Sequence, residues 1–160
     1  MEEILELKYC LQNQQYDRAL TIVKQLEAMG KQDKINDLES LLVVLLIHLI
    51  EIQVKKRVTI NCKNAITHSI LAIQKRNRLG KNYCYIEMNS WNSHISNCQF
   101  EAMLGAVKEA FEEADYKDLE KLVNFQQLVR VSNELLSLTY TSNPREIIKK
   151  IDRQFPVKRF

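Results

Sequence analysis

Glycine and proline are scarce in this chain. Among its 160 residues there are only three glycines and two prolines. Tight turns between short strands depend on these residue types, so their scarcity argues against a sheet-rich fold with many turns. The length is enough for one domain with a substantial core. Because no linker or low-complexity stretch interrupts the chain, we predict a single domain over residues 1–160.

Signals for secretion and membrane insertion are also missing. The sequence begins with the acidic triplet Met-Glu-Glu and lacks the apolar segment of a signal peptide. No apolar run reaches the roughly 20 residues that a membrane-spanning helix needs. The four cysteines are widely separated, without a CxxC pair. These features predict a cytoplasmic protein with reduced thiols and no membrane partner.

The motifs of several enzyme classes are absent as well. The chain has no GxSxG nucleophile elbow, no P-loop, no dinucleotide-binding fingerprint and no HExxH metal motif. We therefore predict no cofactor and favour a protein without catalytic activity. An enzyme with an unfamiliar site stays open as an alternative.

What the chain does have is one long apolar run, LLVVLLIHLI, over residues 41–50. Nine of these ten residues are apolar, and His48 is the exception. A surface helix shows an apolar stripe, whereas this run is apolar on every side, so we expect it to be buried all round. Apolar spacing of three and four extends back to Ile35. This spacing predicts a central helix over residues 34–54, with Asp33 as its N-cap.

Helical spacing covers most of the remaining chain, so the sequence predicts an all-α bundle of about six or seven helices around the central helix. We expect helix stops at Gly30 and Gly80, a loop over residues 79–86, and a break near residues 92–97. Residues 156–160 form a basic tail. The predicted helical segments are residues 2–12, 16–29, 34–54, 61–78, 87–114, 118–123 and 125–138, and a last helix that begins at Asn143 and Pro144 and ends near Phe155.

Charge is distributed unevenly, although the net charge is only +3. Residues 1–54 carry a net charge of −4, residues 55–81 carry +8, and residues 82–160 carry −1. No acidic residue occurs between Ile52 and Ile86. We call residues 55–81 the basic segment.

The basic segment holds two groups of cations, one at each end of the predicted fourth helix. Cations at a helix C-terminus interact favourably with the helix dipole, whereas cations at the N-terminus oppose it. The cations pair with the acidic surface of residues 1–54 or are simply solvated, or they bind the phosphates of a nucleic acid, with Tyr83 and Tyr85 stacking on bases. The candidate binding residues are Lys55, Lys56, Arg57, Lys75, Arg76, Arg78 and Lys81.

The stretch SLLVVLLIHLIEIQVKKR, followed by NAI and QKRN, resembles the bacterial family known as domain of unknown function twenty-nine. Members show a serine-led hydrophobic helix that ends in a His-Leu pair. An arginine follows, and then a Ser-Trp pair that opens a helix ending in an arginine. The matching residues are Ser40, the pair His48-Leu49, Arg57 and Arg76. The resemblance is best over residues 35–76 and implies an all-helical fold, without implying an activity.

The chain departs from this family pattern at two places. Asn61-Cys62 stands where the Ser-Trp pair is usual, and Glu51 replaces a usual lysine. The first 29 residues also look like the start of some members, whereas residues 82–160 match only loosely. A site that needed the tryptophan would therefore be altered in this chain.

Histidine and cysteine supply the candidate reactive groups. His48 is either a buried general base, which the resemblance pairs with Arg57, or a neutral core histidine held by hydrogen bonds. His94 and Cys98 lie four residues apart, so both could face a metal ion, with Cys84 as a third ligand. The alternative is that these cysteines are buried as small hydrophobic residues, and we predict no metal site.

Together these features predict a non-catalytic cytoplasmic interaction or regulatory module that binds a protein partner or a second copy of itself. The alternative is a nucleic-acid-associated protein that uses the basic segment. Such a protein could be an RNase or one component of a toxin–antitoxin pair.

Overall fold

A computed structural model describes residues 2–111 and 113–157. This part of the chain forms an all-α helical bundle, which confirms the predicted fold class. None of the described helices is both long and apolar enough to cross a membrane. The helices are α1 (Glu2–Gln12), α2 (Tyr16–Lys55), α3 (Ile60–Arg76), α4 (Trp91–Ala110), α5 (Tyr116–Leu122), α6 (Phe125–Thr141) and α7 (Pro144–Gln154).

The chain divides into two compact units, Met1–Asn36 and Asp37–Phe160, which we call the N-terminal unit and the C-terminal unit. Two such units can belong to one folding domain or to two. The single domain predicted over residues 1–160 therefore stays a prediction.

The N-terminal unit is a helical hairpin made of α1 and the first part of α2. Residues 13–15 connect the two helices, and Gln14 takes a left-handed conformation there, with φ of +59°. The small core of this unit is formed by Cys10, Ala19 and Ile22, and Leu7 and Leu26 pack against it half-buried. An ion pair of 2.6 Å between Arg18 Nη2 and Glu6 Oε1 joins the helices at the surface.

The predicted helix stop at Gly30 and the predicted N-cap at Asp33 are both wrong, because α2 runs through them without interruption. Glycine inside a helix costs only about 1 kcal/mol relative to alanine. Helix α2 contains no proline, so none of its backbone hydrogen bonds is lost to a missing N–H. The Gln32 side chain also donates a 2.9 Å hydrogen bond to Asn36 one turn later, within the same helix.

The apolar run of α2 lies in the core of the C-terminal unit, as predicted, but it is not buried all round. Val44 is 41% exposed, and His48 is half-buried. These two residues belong to a row at spacings of three and four that continues through Glu51 to Lys55. The run therefore has one narrow outward face, which carries Val44 and its one polar residue, His48. The fully buried residues of the run are Leu42, Leu45, Leu46 and Ile50.

The start of α3 is capped by Thr59, whose hydroxyl accepts a 3.1 Å hydrogen bond from the Cys62 backbone N–H. The helix ends at Arg76, two residues before the predicted end, with Asn77 as its C-cap. The predicted loop over residues 79–86 contains a small antiparallel hairpin of β1 (Arg78–Leu79) and β2 (Tyr83–Cys84). Gly80 forms the turn of this hairpin with φ of +73°, which glycine adopts readily.

The helix predicted over residues 87–114 begins later, because a short 3₁₀ turn, Met88–Ser90, precedes α4 at Trp91. The break expected near residues 92–97 is wrong, since α4 is continuous there. Its buried face, which includes Ile95 and Ala102, outweighs the weak helix propensity of the neighbouring asparagines and serines. Residue 112 of the predicted segment lies outside the described residues.

The last helix begins as its sequence predicts. The Asn143 side chain accepts a 2.9 Å hydrogen bond from the Glu146 backbone N–H, and Pro144 stands in the first turn. Proline is tolerated there because its missing N–H would have no helical partner. Of the basic tail, residues 158–160 lie outside the described part of the chain.

Candidate functional site

His48, Glu51 and Cys62 come together where α2 ends and α3 begins. One ligand atom from each, a ring nitrogen, a carboxylate oxygen and the thiol sulfur, all lie within 4.8 Å of one another. The distance between His48 Nδ1 and Glu51 Oε2 is 3.6 Å. Among the described residues, these three form the group of potential metal ligands that meets this distance. We call it the His48 cluster.

The backbone brings the cluster together through a tight connection. His48 and Glu51 are three residues apart, so α2 presents them on one face, one turn apart. Lys56 takes a left-handed conformation, with φ of +53°, and ends the helix. Thr59 then caps α3, which places Cys62 in its first turn. The chain therefore reverses direction within a few residues, which brings the Cys62 thiol close to the Glu51 carboxylate.

The polar groups of the cluster are unevenly satisfied. Glu51 Oε1 receives Lys55 Nζ at 3.3 Å, one turn further along α2. Lys55 also lies over the Phe111 ring, 5.2 Å from its centroid. By contrast, His48 Nδ1 is buried and has no hydrogen-bond partner among the described residues. The distance of 3.6 Å to Glu51 is too long for a hydrogen bond.

Burial raises the pKa of the Cys62 thiol above its ordinary value. A hydrogen bond with the Thr59 side chain opposes that rise in pKa, and the Glu51 carboxylate adds to it. The raised pKa keeps the thiol protonated at neutral pH.

Sequence analysis identified His48 and paired it with Arg57, but the structure brings His48 to other residues. Arg57 is exposed, and no hydrogen bond or ion pair joins it to His48 in the described part of the chain. Glu51 could have been found from its spacing to His48. Cys62 could not, because the connection between the helices decides its position.

A second cluster contains the same residue types. His94 and Cys98 lie on one face of α4, as predicted, and both contact Glu39 of α2. Glu39 Oε2 lies 3.7 Å from His94 Nδ1 and 3.6 Å from Cys98 Sγ. Burial, followed by the Glu39 carboxylate, raises the pKa of Cys98 to about 12. We call these three residues the Glu39 cluster.

Cys84, the third residue of the predicted ligand set, lies half-buried in β2. Burial raises its pKa, and Glu87 raises it further. Among the described residues, Cys84, His94 and Cys98 do not form a group with all ligand atoms within 4.8 Å. The structure thus brings two of these residues to Glu39 and leaves the third on the hairpin.

The cations of the basic segment are largely unpaired. All seven candidate binding residues are exposed. Lys55 pairs with Glu51, and Lys63, an eighth cation, pairs with Asp152 at 3.0 Å. Within the described residues of the C-terminal unit, no carboxylate lies within 4.0 Å of the other six. The predicted pairing is thus seen between Lys55 and Glu51, and pairing with residues 1–36 stays a prediction.

The second group of cations lies at the end of α3 and on the hairpin that follows. We define the basic hairpin end as Lys75, Arg76, Arg78 and Lys81. Tyr83, on β2 opposite Leu79, is 75% exposed beside them. Ser142 connects the end of α3 to a cation of α7. Its carbonyl accepts a 2.7 Å hydrogen bond from the Gln74 side chain, and its hydroxyl accepts a 3.0 Å hydrogen bond from Lys150.

Comparison of the chain with family models, with curated proteins and with solved structures gives no match.

Proposed function

We propose that this chain is a non-catalytic interaction module that associates with a second copy of itself through the N-terminal unit. The observation that carries the proposal is a concentration of exposed apolar side chains. Among the described residues, sixteen large hydrophobic side chains are exposed, and seven of them lie in the 36 residues of the N-terminal unit. Each of the seven is more than half exposed: Ile4, Leu5, Tyr9, Leu11, Tyr16, Leu20 and Met29.

These side chains extend the small core of the hairpin to its surface. Ile4 and Leu11 are the helical neighbours of half-buried Leu7, three residues before it and four residues after it. On α2, Tyr16 and Leu20 form a row one turn apart. Only three residues of the unit are buried in its core. A unit below about 40 residues usually needs an additional source of stability, and association supplies it.

A second copy is the partner that the charges favour. The N-terminal unit carries five basic and six acidic residues, a net charge of −1. Two such units repel each other weakly, whereas a strongly charged partner would find no complementary field here. Two hairpins related by a two-fold axis place the same apolar surface on both sides and form a four-helix bundle.

Sedimentation equilibrium of the full chain tests this proposal. Wild-type protein is expected at twice its chain mass of 18.8 kDa. Leu20→Lys should return it to the mass of one chain, because a charge would be buried without a partner. Leu104→Lys is the matched control, since Leu104 is exposed on α4 to a similar degree. A monomeric wild type, or equal dissociation of both variants, would overturn the proposal.

We also propose a cytoplasmic location and a bacterial origin. All four cysteines are free thiols, which suits a reducing compartment. The origin rests on the resemblance of residues 35–76 to the family of unknown function, and membership of that family is part of the same proposal.

Nucleic-acid binding is the second candidate function, and the basic hairpin end favours it. Four exposed cations lie beside an exposed tyrosine, and among the described residues of the C-terminal unit no carboxylate lies within 4.0 Å of them. They combine a phosphate contact with a stacking surface. This candidate expects the purified chain to retard or shorten RNA or DNA at low salt.

A further inference from the structure

We propose that His48, Glu51 and Cys62 bind a divalent transition-metal ion, with Zn²⁺ as the best-suited ion. The site is independent of self-association, because all three residues belong to the C-terminal unit. Imidazole, carboxylate and thiolate are the three ligand types that Zn²⁺ accepts in proteins.

The spacing of the three ligand atoms suits such an ion. Bonds of about 2.0–2.3 Å in a tetrahedral arrangement place the ligand atoms roughly 3–4 Å apart. The distance of 3.6 Å between His48 Nδ1 and Glu51 Oε2 already lies in this range. The thiol sulfur of Cys62 lies within 4.8 Å of a ring nitrogen of His48 and of a carboxylate oxygen of Glu51.

His48 Nδ1 is a second indication of a missing partner. It is buried and accepts or donates no hydrogen bond within the described part of the chain, a property that it shares with His94 Nδ1 of the Glu39 cluster. A buried polar atom without a partner is costly, and proteins rarely retain one. An ion between the ring, the carboxylate and the sulfur would satisfy all three groups at once.

The surroundings support the ligands. Glu51 would bind through Oε2, while Oε1 keeps its contact of 3.3 Å with Lys55, which orients the carboxylate. Cys62 stands in the first turn of α3, where the helix dipole favours a thiolate. On binding, the thiol proton passes to solvent, and the carboxylate and thiolate balance the charge of the ion. The His48 and Glu51 side chains are 21% and 17% exposed, so water can supply the fourth ligand.

The Glu39 cluster provides a matched control with the same residue types. There, one oxygen of Glu39 contacts both His94 and Cys98. The ligand atoms of the His48 cluster all lie within 4.8 Å of one another, whereas those of the Glu39 cluster do not. Substitution of the two cysteines therefore compares a proposed ligand with a buried thiol in a similar setting.

Titration of the full chain with Co²⁺, after removal of metals by a chelator, tests the proposal. We expect one ion per chain, a thiolate-to-cobalt charge-transfer absorption, and displacement of Co²⁺ by Zn²⁺. Cys62→Ser should abolish this absorption. His48→Gln and Glu51→Gln should weaken Co²⁺ binding at least about tenfold, the lower range found even for loss of groups that only support a ligand. Cys98→Ser and His94→Gln should leave binding unchanged.

A wild-type chain without the charge-transfer absorption at a severalfold excess of Co²⁺ would overturn the proposal. So would a loss in Cys98→Ser as large as the loss in Cys62→Ser, which would place the ion at the Glu39 cluster. If Cys62→Ser loses its helical circular dichroism, Glu51→Gln decides instead, because it preserves the shape of a partly exposed side chain. Unchanged Co²⁺ affinity in a folded Glu51→Gln would also reject the site.

Discussion

The side chain of Asn77 and the backbone of Ile86 form a reciprocal pair of hydrogen bonds. Asn77 Nδ2 donates to the Ile86 carbonyl at 2.9 Å, and the Ile86 N–H donates to Asn77 Oδ1 at 2.8 Å. The same Asn77 amide reaches the Tyr140 hydroxyl, which also accepts a 2.7 Å hydrogen bond from Trp91. This buried network fixes the hairpin that carries Arg78 and Lys81 to the end of α3.

Replacing Asn77 with alanine should destabilise the fold by about 1–3 kcal/mol, the cost of one buried polar group without a partner. The substitution leaves the Ile86 N–H without its acceptor, whereas the Ile86 carbonyl keeps the hydrogen bond that it accepts from the Tyr140 hydroxyl. Urea denaturation followed by circular dichroism measures the change. Asn82→Ala, at an exposed position of the same hairpin, is the control and should stay within about 0.5 kcal/mol. Equal effects of the two substitutions would contradict the role of the network.

The two sides of α2 should respond differently to truncation. Leu45 is fully buried, so Leu45→Ala should cost about 2–5 kcal/mol. Val44 is the adjacent residue and is 41% exposed, so Val44→Ala should cost less than about 1 kcal/mol. Equilibrium unfolding in urea compares the two variants. A loss below half a kilocalorie for Leu45→Ala would show that the apolar run is not the core.

Alkaline pH should destabilise the chain partly through Cys98. Its pKa is raised from the ordinary value of 9.0 to about 12 by burial and by Glu39, so the folded state holds the thiol proton more tightly than the unfolded state. The stabilisation is complete below pH 9 and is lost as the pH rises from 9 towards 12. The full effect is of order 4 kcal/mol.

Unfolding free energies measured between pH 8 and pH 11 test this titration. Cys98→Ser removes the thiol, so the decline of stability over this range should become shallower than in wild-type protein. It should not vanish, because burial also raises the pKa of Tyr140. Identical slopes for the two proteins would show that Cys98 ionises in the folded state as it does in the unfolded chain.

Neutralising the basic hairpin end distinguishes the two candidate functions. If the chain binds nucleic acid, replacing Lys75, Arg76, Arg78 and Lys81 with glutamine should weaken binding for all sequences alike. The slope of log affinity against log salt should shrink by about 0.7–0.9 for each phosphate contact that is lost. Fluorescence anisotropy of labelled RNA and DNA over a salt series measures both quantities.

The control for this experiment neutralises four exposed lysines of the N-terminal unit: Lys8, Lys24, Lys31 and Lys34. An equal loss of affinity in the control would show that net charge, and not the basic hairpin end, is responsible. Tyr83→Ala should lower affinity for single strands without changing the salt slope, because stacking involves no counterion release. If wild-type protein shows no appreciable affinity near physiological salt, the interaction module remains the better proposal.

The sequence by itself determined features that depend on neighbouring residues. Asn143 and Pro144 cap and begin α7 through hydrogen bonds within one turn, so four residues are enough to specify them. Leu45 is buried because apolar residues recur at helical spacing around it, and this spacing also gave the all-α class. The unequal distribution of charge was likewise visible before the fold was known.

Tertiary structure decided the features that depend on competition or on distance. Gly30 and Asp33 carry local signals for a helix end, but a small propensity cost does not end a helix that can continue through them. Gly105 lies against Ile47, where an added Cβ would stand 2.6 Å from Ile47 Cδ1, and no helical pattern shows that approach. Cys62 reaches His48 only because the chain reverses after α2. Periodicity within one helix places residues on a face, whereas the packing of a second helix decides which groups that face meets.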